Sequence, residues 1–227
     1  MRVAIVGGHG QIARKLHPLL VDAGHTPVAL VRTEAYRAEL EALGAEVGIL
    51  DIERDGADDF ATAFAGADAV VFAAGAGPDG NVDRKSTVDY EGSLKSAQGA
   101  RGAGVARFVQ VSAIGVDEPV GPDASEVWKA YVMAKRDADV ALRATELDWT
   151  IIRPGRLVDD PATGAVSLGP DVSRGDVTRA DVAAVLAEVL GRPETYGRQW
   201  NLVNGDTPIP DAVTYAARQA SSPSASS

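Results

Sequence analysis

The chain has 227 residues, of which 45% are hydrophobic, and it carries a formal net charge of −10. This length fits one large domain with a substantial core, and the acidic excess argues against nucleic acids and anionic membranes as partners. The sequence has no cysteine and only three histidines, so a thiolate nucleophile, a disulfide or a histidine-based metal site is not expected. No apolar stretch reaches membrane-spanning length, and we expect a soluble cytoplasmic protein.

A strand, a glycine turn and a helix follow one another at the start of the chain. Residues 3–6 are an unbroken apolar run with β-branched side chains, which is typical of a buried strand. Residues 11–20 have apolar side chains at helical spacing. Between them, Gly7 can make a tight turn, and Gly10 lets a pyrophosphate approach the backbone at the positive end of the helix dipole.

The spacing of the small residues in this turn determines how specifically the sequence predicts a dinucleotide site. Gly7, Gly10 and Ala13 read G-x-x-G-x-x-A rather than the G-x-G-x-x-G of most dehydrogenases, and a purely structural turn is the alternative. The position between a clear strand and a clear helix favours a dinucleotide site. The cofactor contacts predicted in this turn are Gly7, Gly8, His9, Gly10, Gln11 and Ile12.

The second predicted strand, residues 26–31, ends at Arg32 and Thr33. In dinucleotide-binding folds an acid at this strand end bonds the 2′-hydroxyl of NAD, whereas an arginine accommodates the 2′-phosphate of NADP. We therefore predict NADPH, with Arg32 bonding the phosphate, Thr33 adding a hydroxyl and Arg14 a weaker second cation. Glu34 close by leaves NAD as the alternative.

Two further strand ends supply predicted cofactor contacts. Strand three, residues 45–50, ends at Asp51, which can accept from the adenine amino group, and Ile52, which can pack on the ring. A plain turn aspartate is the alternative for Asp51. Strand four, residues 69–72, runs into Ala73, Ala74 and Gly75, which let a ribose and phosphate lie against the backbone. A flexible loop is the alternative there.

Strands and helices alternate five times up to a fifth strand at residues 105–111. This alternation predicts a Rossmann-type α/β fold, with a doubly wound parallel sheet and helices on both faces. Ligands of such sheets bind at the carboxyl ends of the strands, where Gly7, Arg32, Asp51, Ala74 and Ser112 all lie. We expect one domain over residues 1–220, with a small substrate-side region at 155–220 and a disordered tail at 221–227.

A helix predicted over residues 125–140 has Tyr131 and Lys135 four residues apart, and therefore on one face. A neighbouring ammonium lowers the pKa of a phenol, which makes Tyr131 a candidate acid or base. Lys135 can also bond the nicotinamide ribose, and Ser112 at the end of strand five can hold the substrate oxygen. The same spacing is common on solvated helices, which is the structural alternative.

Two other helices carry specific expectations. The long helix predicted over residues 82–102 should place Asp83, Asp89 and Lys95 on its wetter side. The helix predicted over residues 178–191 begins with Thr178 as the N-cap and Asp181 at the third position, which is a capping-box arrangement.

The chain resembles the short-chain dehydrogenase/reductase superfamily. More closely it is similar to the atypical NAD(P)H-binding branch, which includes NmrA-like, biliverdin-reductase-B-like and NAD-dependent epimerase/dehydratase-like proteins. The resemblance covers nearly the whole chain and rests on GGHGQIA at 7–13, VR at 31–32, VDYEG at 88–92, ARFVQVSA at 106–113, the Tyr131 and Lys135 pair, WTIIRPG at 149–155 and TRADVA at 178–183. It implies that Pro154 and its neighbours lie beside the nicotinamide, and that Asp181 caps the helix of the small C-terminal region.

Many atypical members of this superfamily lack a working Tyr–Lys pair, which this chain retains. The resemblance therefore implies an NADPH-dependent reductase that transfers hydride to a small carbonyl, quinone or flavin-like acceptor. It would act on a small molecule as a monomer or homodimer, without a metal. The alternatives are a non-catalytic NADP(H) redox sensor of the NmrA kind and an epimerase or dehydratase that recycles its cofactor. The region after strand six is short for a nucleotide-sugar domain.

Overall fold

A nine-stranded sheet forms the centre of the computed structural model, which describes residues 1–77 and 81–219. Residues 78–80 and 220–227 lie outside the described residues, and the tail predicted at 221–227 lies there too. The strands are β1 (Arg2–Val6), β2 (Thr26–Val31), β3 (Glu46–Ile49), β4 (Ala69–Phe72), β5 (Arg107–Val111), β6 (Asp148–Pro154), β7 (Arg156–Val158), β8 (Ala165–Gly169), β9 (Asp176–Thr178), β10 (Arg198–Asn204) and β11 (Thr207–Pro208). β7 and β9 pair separately from the large sheet.

The strand order confirms the predicted fold class. The large sheet runs β11-β8-β10-β6-β5-β4-β1-β2-β3, and the strands from β10 to β3 are all parallel. β8 pairs antiparallel to β10, at the end formed by the later part of the chain. β1 lies between β2 and β4, so the direction of winding reverses there. Such a switch point opens a crevice at the carboxyl ends of the strands, where ligands bind in this class of sheet.

Helices cover both faces of the sheet. They are α1 (Gln11–Asp22), α2 (Arg37–Ala42), α3 (Ala57–Ala63), α4 (Val82–Arg84), α5 (Glu91–Gly102), α6 (Glu126–Arg143), α7 (Arg179–Leu190) and α8 (Ile209–Arg218). Leu16 of α1 and Leu186 of α7 belong to one buried cluster, and Phe60 of α3 and Leu142 of α6 belong to another. Within residues 1–77 and 81–219, no helix has the length and apolar character needed to cross a bilayer.

A π-helical turn at Lys85–Tyr90 interrupts the long helix predicted there. Asp83 is exposed as predicted, but Asp89 is only 1% exposed. Lys95 is half-buried, and its Nζ donates to the backbone oxygen of Asp55 (2.9 Å). The prediction that Asp89 and Lys95 face solvent is wrong. For Asp89 the reason is that the wider turn changes the phase on which helical spacing relies. The Lys95 ammonium folds back onto backbone oxygens instead.

Only one of the two hydrogen bonds of the predicted capping box is present at the start of α7. Thr178 Oγ1 accepts from the Asp181 backbone N–H (2.9 Å), which confirms Thr178 as the N-cap. The Asp181 carboxylate accepts from the backbone N–H groups of Thr163 (2.9 Å) and Gly164 (2.9 Å), whereas Thr178 N donates to Asn204 Oδ1 (3.3 Å). Asp181 therefore anchors the loop that precedes β8 to the start of α7.

Candidate cofactor and active site

The glycine turn joins β1 to α1 at the carboxyl edge of the sheet. Gly7 has a backbone φ of +79°, and a Cβ atom added there would lie 2.8 Å from Ala74 Cα. A Cβ atom at Gly8 would lie 2.7 Å from Ala29 Cα. Both glycines are therefore required, the first by backbone conformation and both by close packing against neighbouring chain segments.

The N-terminus of α1 presents backbone donors to the crevice. Gly10 donates its N–H to Gly7 O (2.8 Å), and no side chain from the described part of the chain caps the helix. The first helical bond runs from Arg14 N to Gly10 O (2.9 Å), so the N–H groups of residues 11–13 have no partner inside the helix. The Ile12 side chain is buried, which leaves its N–H as the group that can face a ligand. These donors at the positive end of the helix dipole suit a pyrophosphate.

His17 supports this turn from inside the protein. The ring is fully buried, and its Nε2–H donates to Gly8 O (2.7 Å). Its Nδ1 has no hydrogen-bond partner among the residues that the structure describes. Burial lowers the pKa of His17, and the bond to Gly8 opposes this only in part. The ring is therefore neutral at pH 7 and fixes the position of the Gly8 carbonyl.

Two side chains of the predicted cofactor site, His9 and Arg14, contact the segment from Tyr36 to Glu39 at the start of α2. The His9 ring stacks on Tyr36, with centroids 3.7 Å apart and planes 7° apart. Glu39 accepts hydrogen bonds from His9 Nε2 (3.0 Å) and Arg14 Nη1 (2.8 Å). Arg14, which we predicted as a second phosphate cation, is therefore in an ion pair.

Arg32 lies at the carboxyl end of β2 and is exposed. Its guanidinium makes no hydrogen bond or ion pair within residues 1–77 and 81–219. The Thr33 hydroxyl accepts from Ala35 N (3.4 Å) and begins a short 3₁₀ turn. Glu34, the residue that left NAD open, accepts from Arg37 Nε (2.5 Å) and Nη2 (2.9 Å). Arg37 thus neutralises the charge of Glu34, whereas the guanidinium of Arg32 is available to a ligand.

Asp51 makes the turn that we gave as its alternative role. Its Oδ1 accepts from Glu53 N (3.0 Å), and its Oδ2 lies 3.8 Å from Arg54 Nε. Ile52 packs against the buried cluster of α3, and a Cβ atom added at Gly92 would collide with it. The adenine contacts of both residues remain predictions.

The segment after β4 lies beside the glycine turn. Ala73 N donates to Val6 O (3.1 Å), and Ala74 packs against Gly7. Gly75 is exposed, and a Cβ atom there would lie 3.2 Å from Asp89 Oδ1. The small residues of this segment therefore let two chain segments approach closely at the switch point.

Lys135 is buried at the carboxyl edge of the sheet. Its Nζ lies 3.1 Å from Asp89 Oδ1 and donates to Val111 O (3.2 Å) and Ala74 O (3.5 Å). Burial opposes the charge, but the neighbouring acidic groups, Asp89 foremost, raise the pKa of Lys135. Asp89 also accepts from Ala76 N (3.0 Å), so it joins the segment after β4 to α6. Sequence reasoning missed Asp89, although it lies in the VDYEG segment on which the resemblance rests.

The Tyr131 hydroxyl makes no hydrogen bond to any described residue, and its ring contacts Trp128 (centroids 5.5 Å apart). Burial raises the pKa of Tyr131, Lys135 opposes the increase, and the carboxylates of Asp89 and Asp139 add to it. We expected Lys135 to lower the pKa of Tyr131 below its ordinary value. This expectation is wrong, because the pKa is raised overall. The phenol is therefore protonated at neutral pH, as an acid that delivers a proton must be.

Ser112 belongs to a buried polar group centred on Asp139. The Asp139 carboxylate accepts from Ser112 Oγ (2.8 Å), Gln110 Nε2 (2.7 Å) and Arg153 Nε (2.8 Å). Arg153 also donates to Asp117 Oδ2 (2.6 Å). Because the single hydroxyl hydrogen of Ser112 is directed at Asp139, its oxygen offers only lone pairs to a ligand. Ser112 can thus accept from a hydroxyl but cannot polarise a carbonyl by donation.

The predicted nicotinamide neighbour, Pro154, ends β6 at the same edge. It is buried, and its carbonyl accepts from Ile114 N (3.0 Å). The fold thus brings together at one edge the predicted site residues from the glycine turn, the ends of β2 to β6 and the start of α6.

The sequence matches the family described as NAD(P)H-binding across residues 7–193. The chain belongs to this NAD(P)H-binding family. The match begins at Gly7 and includes both Arg32 and the Tyr131–Lys135 pair, which confirms the resemblance seen in the sequence.

Relatives of this NAD(P)H-binding chain have different names. The Bacillus subtilis (strain 168) protein YhfK, named as an uncharacterized sugar epimerase, is 39% identical over 214 residues, which are 94% of this chain and 99% of YhfK. A Bacillus halodurans structure, named provisionally as an NAD-dependent epimerase/dehydratase, is 40% identical with a TM-score of 0.88, covering 95% of this chain and 99% of that one. ChuY from Escherichia coli O157:H7, named as an anaerobilin reductase, is 25% identical with a TM-score of 0.72, covering 91% and 98%.

Proposed function

We propose that the protein is an NADPH-dependent reductase that delivers hydride to a small carbonyl, quinone or flavin-like acceptor. The proposal rests on Tyr131, whose hydroxyl makes no hydrogen bond to a described residue, and on the N-terminus of α1 at the same sheet edge, which no side chain from the described residues caps. A nucleotide whose diphosphate lies on that helix extends along the edge toward Tyr131.

The residues present fit NADPH. The N–H groups of residues 11–13 would bind the diphosphate, and Arg32, which has no partner in the described part of the chain, would bind the 2′-phosphate. Bound NADPH would supply the hydride. Thr33, Asp51 and Ile52 would contact the adenosine, and Pro154 the nicotinamide, as predicted from the sequence.

The protein residues supply the proton for this reaction. Tyr131 would give its O–H proton to the acceptor oxygen as that oxygen gains negative charge, and the resulting phenolate would be stabilised by Lys135 and reprotonated from water. Ser112 accepts a hydrogen bond from the hydroxyl that forms. Asp89 keeps Lys135 charged and next to Tyr131 throughout.

An acceptor panel tests this proposal. NADPH oxidation is followed at its nicotinamide absorbance with aldehydes, quinones and free flavins, for the unmodified protein and for Tyr131→Phe. We expect turnover on at least one acceptor class, reduced about 10²- to 10⁴-fold in the variant for carbonyl acceptors. Tyr215→Phe is the matched control. Because Tyr215 is an exposed residue of α8, this substitution should leave the rate unchanged.

A specific observation favours a second candidate, the non-catalytic NADP(H) sensor. The Lys135 ammonium is directed at Asp89, Val111 O and Ala74 O and has little capacity left for a nicotinamide ribose. If the protein bound NADPH tightly but did not oxidise it with any acceptor, that result would favour the sensor over the reductase. The names of YhfK and the Bacillus halodurans protein support a third candidate, an epimerase, for which NADP would be recycled without net oxidation.

A further inference from the structure

Glu39 joins the glycine turn, α1 and α2 through one carboxylate. Its two oxygens accept from Arg14 Nη1 (2.8 Å) and His9 Nε2 (3.0 Å). His9 is fixed from its other side by the stack on Tyr36. We call these four residues, His9, Arg14, Tyr36 and Glu39, the Glu39 cluster.

The Glu39 cluster lies beside the strand end that carries Arg32. Tyr36 is only four residues beyond Arg32, and its ring contact places this part of the chain against His9 of the glycine turn. Arg32, at this strand end, has no partner among the described residues, whereas the charge of the second predicted phosphate cation, Arg14, is neutralised by Glu39. Glu34, the other nearby acid, is engaged by Arg37.

We propose that Glu39 is a specificity-determining residue that limits the preference of this protein for NADPH over NADH. This inference rests on the proposed binding of NADP(H) at the Arg32 strand end. A 2′-phosphate placed there approaches the Glu39 carboxylate and is repelled by it, and it can bond Arg14 only if Arg14 leaves Glu39. NADH lacks that phosphate, so the same carboxylate leaves its affinity nearly unchanged.

Glu39→Gln is the direct test, because the amide keeps the shape of the side chain and removes its charge. Dissociation constants of NADPH and NADH are measured by calorimetry at low ionic strength. We expect the affinity for NADPH to rise about three- to tenfold, and that for NADH to stay within about twofold. The gain in NADPH affinity should shrink when the salt concentration is raised, because the charged groups of Glu39 and Arg14 are partly exposed.

Glu41→Gln provides the matched control. Glu41 lies on the same helix, is exposed, and pairs with Arg37 (3.3 Å) rather than with the glycine turn. It removes the same charge from α2, so a general charge effect would appear in both variants. We expect Glu41→Gln to leave both affinities within about twofold.

A double-mutant cycle with Arg14→Gln identifies the cation that Glu39 restrains. Arg14→Gln should lower NADPH affinity more in the Glu39→Gln background than in the unmodified protein. An equal gain for NADH and NADPH, or a loss of NADPH affinity in Glu39→Gln, would overturn the inference while leaving the reductase proposal intact. Failure of the unmodified protein to bind either nucleotide would overturn both.

Discussion

Removing Asp89 should destabilise the protein far more than removing an exposed acid. Asp89 and Lys135 are 1% and 5% exposed, with 3.1 Å between Oδ1 and Nζ. Asp89→Ala would leave a buried ammonium without its counter-ion, which costs about 3–5 kcal/mol of unfolding free energy. It would also leave Ala76 N without its hydrogen bond. For a chain of this size the loss corresponds to a fall in Tm of about 6–20 °C.

Urea unfolding followed by circular dichroism measures this loss, with two comparisons. Glu126→Ala breaks the exposed pair with Lys129 (2.9 Å) and should cost less than about 1 kcal/mol. Adding Lys135→Met to Asp89→Ala removes the uncompensated charge and should restore about 2 kcal/mol or more. A cost for Asp89→Ala that matches Glu126→Ala, or a double variant no more stable than the single one, would refute the assignment of Asp89 as the counter-ion of Lys135.

Three other predictions concern pH and the acceptor. Because the pKa of His17 is lowered in the folded protein, the unfolded chain binds a proton that the folded protein does not. The free energy of unfolding should therefore fall as pH drops below about 6.5, by up to ~1.4 kcal/mol per pH unit. In urea titrations, His17→Gln should make this dependence on pH weaker. The pKa of Tyr131 is raised, so reductase activity should not fall between pH 7 and about 9; a loss of activity within that range argues against Tyr131 as the acid. Trp128 is 46% exposed beside Tyr131, and Trp128→Ala should raise KM for planar quinones about three- to tenfold but not for small aliphatic aldehydes; equal effects would exclude stacking.

The glycine turn and the strand ends were predictable because their causes are local. An apolar run needs a buried strand, and Gly7 supplies a positive φ that other residues rarely adopt, so the β1–turn–α1 unit follows from the first twenty residues. The alternation of strand and helix patterns likewise predicts that the sheet is parallel and doubly wound. β7, by contrast, has only three residues and pairs with β9 about twenty residues later, which is too short for any periodicity to reveal.

The electrostatic partners were not predictable, because they depend on contacts between distant segments. Helical spacing directed Asp89 to solvent, and a π turn of six residues placed it under Lys135 instead. Arg14 is predicted as a phosphate cation because it directly follows the glycine motif, whereas its partner Glu39 lies 25 residues away in the sequence. The charge pattern of the sequence therefore indicates which strand and helix ends carry ionisable groups, but not which of those groups are paired in the fold.

In the proposed function, the glycine turn and the start of α1 hold the diphosphate of a nicotinamide nucleotide. Gly10→Ala tests this directly, because the φ of −62° is open to alanine and an added Cβ would meet only Gly7 O, in a tight contact (3.0 Å), and Ala73 O (3.7 Å) among the described residues. In a calorimetric titration with NADPH, we predict one nucleotide bound per chain and an affinity about tenfold or more weaker for Gly10→Ala, with a Tm lowered by no more than a few degrees. Equal affinities for the two proteins, or no heat of binding from either, would contradict the account.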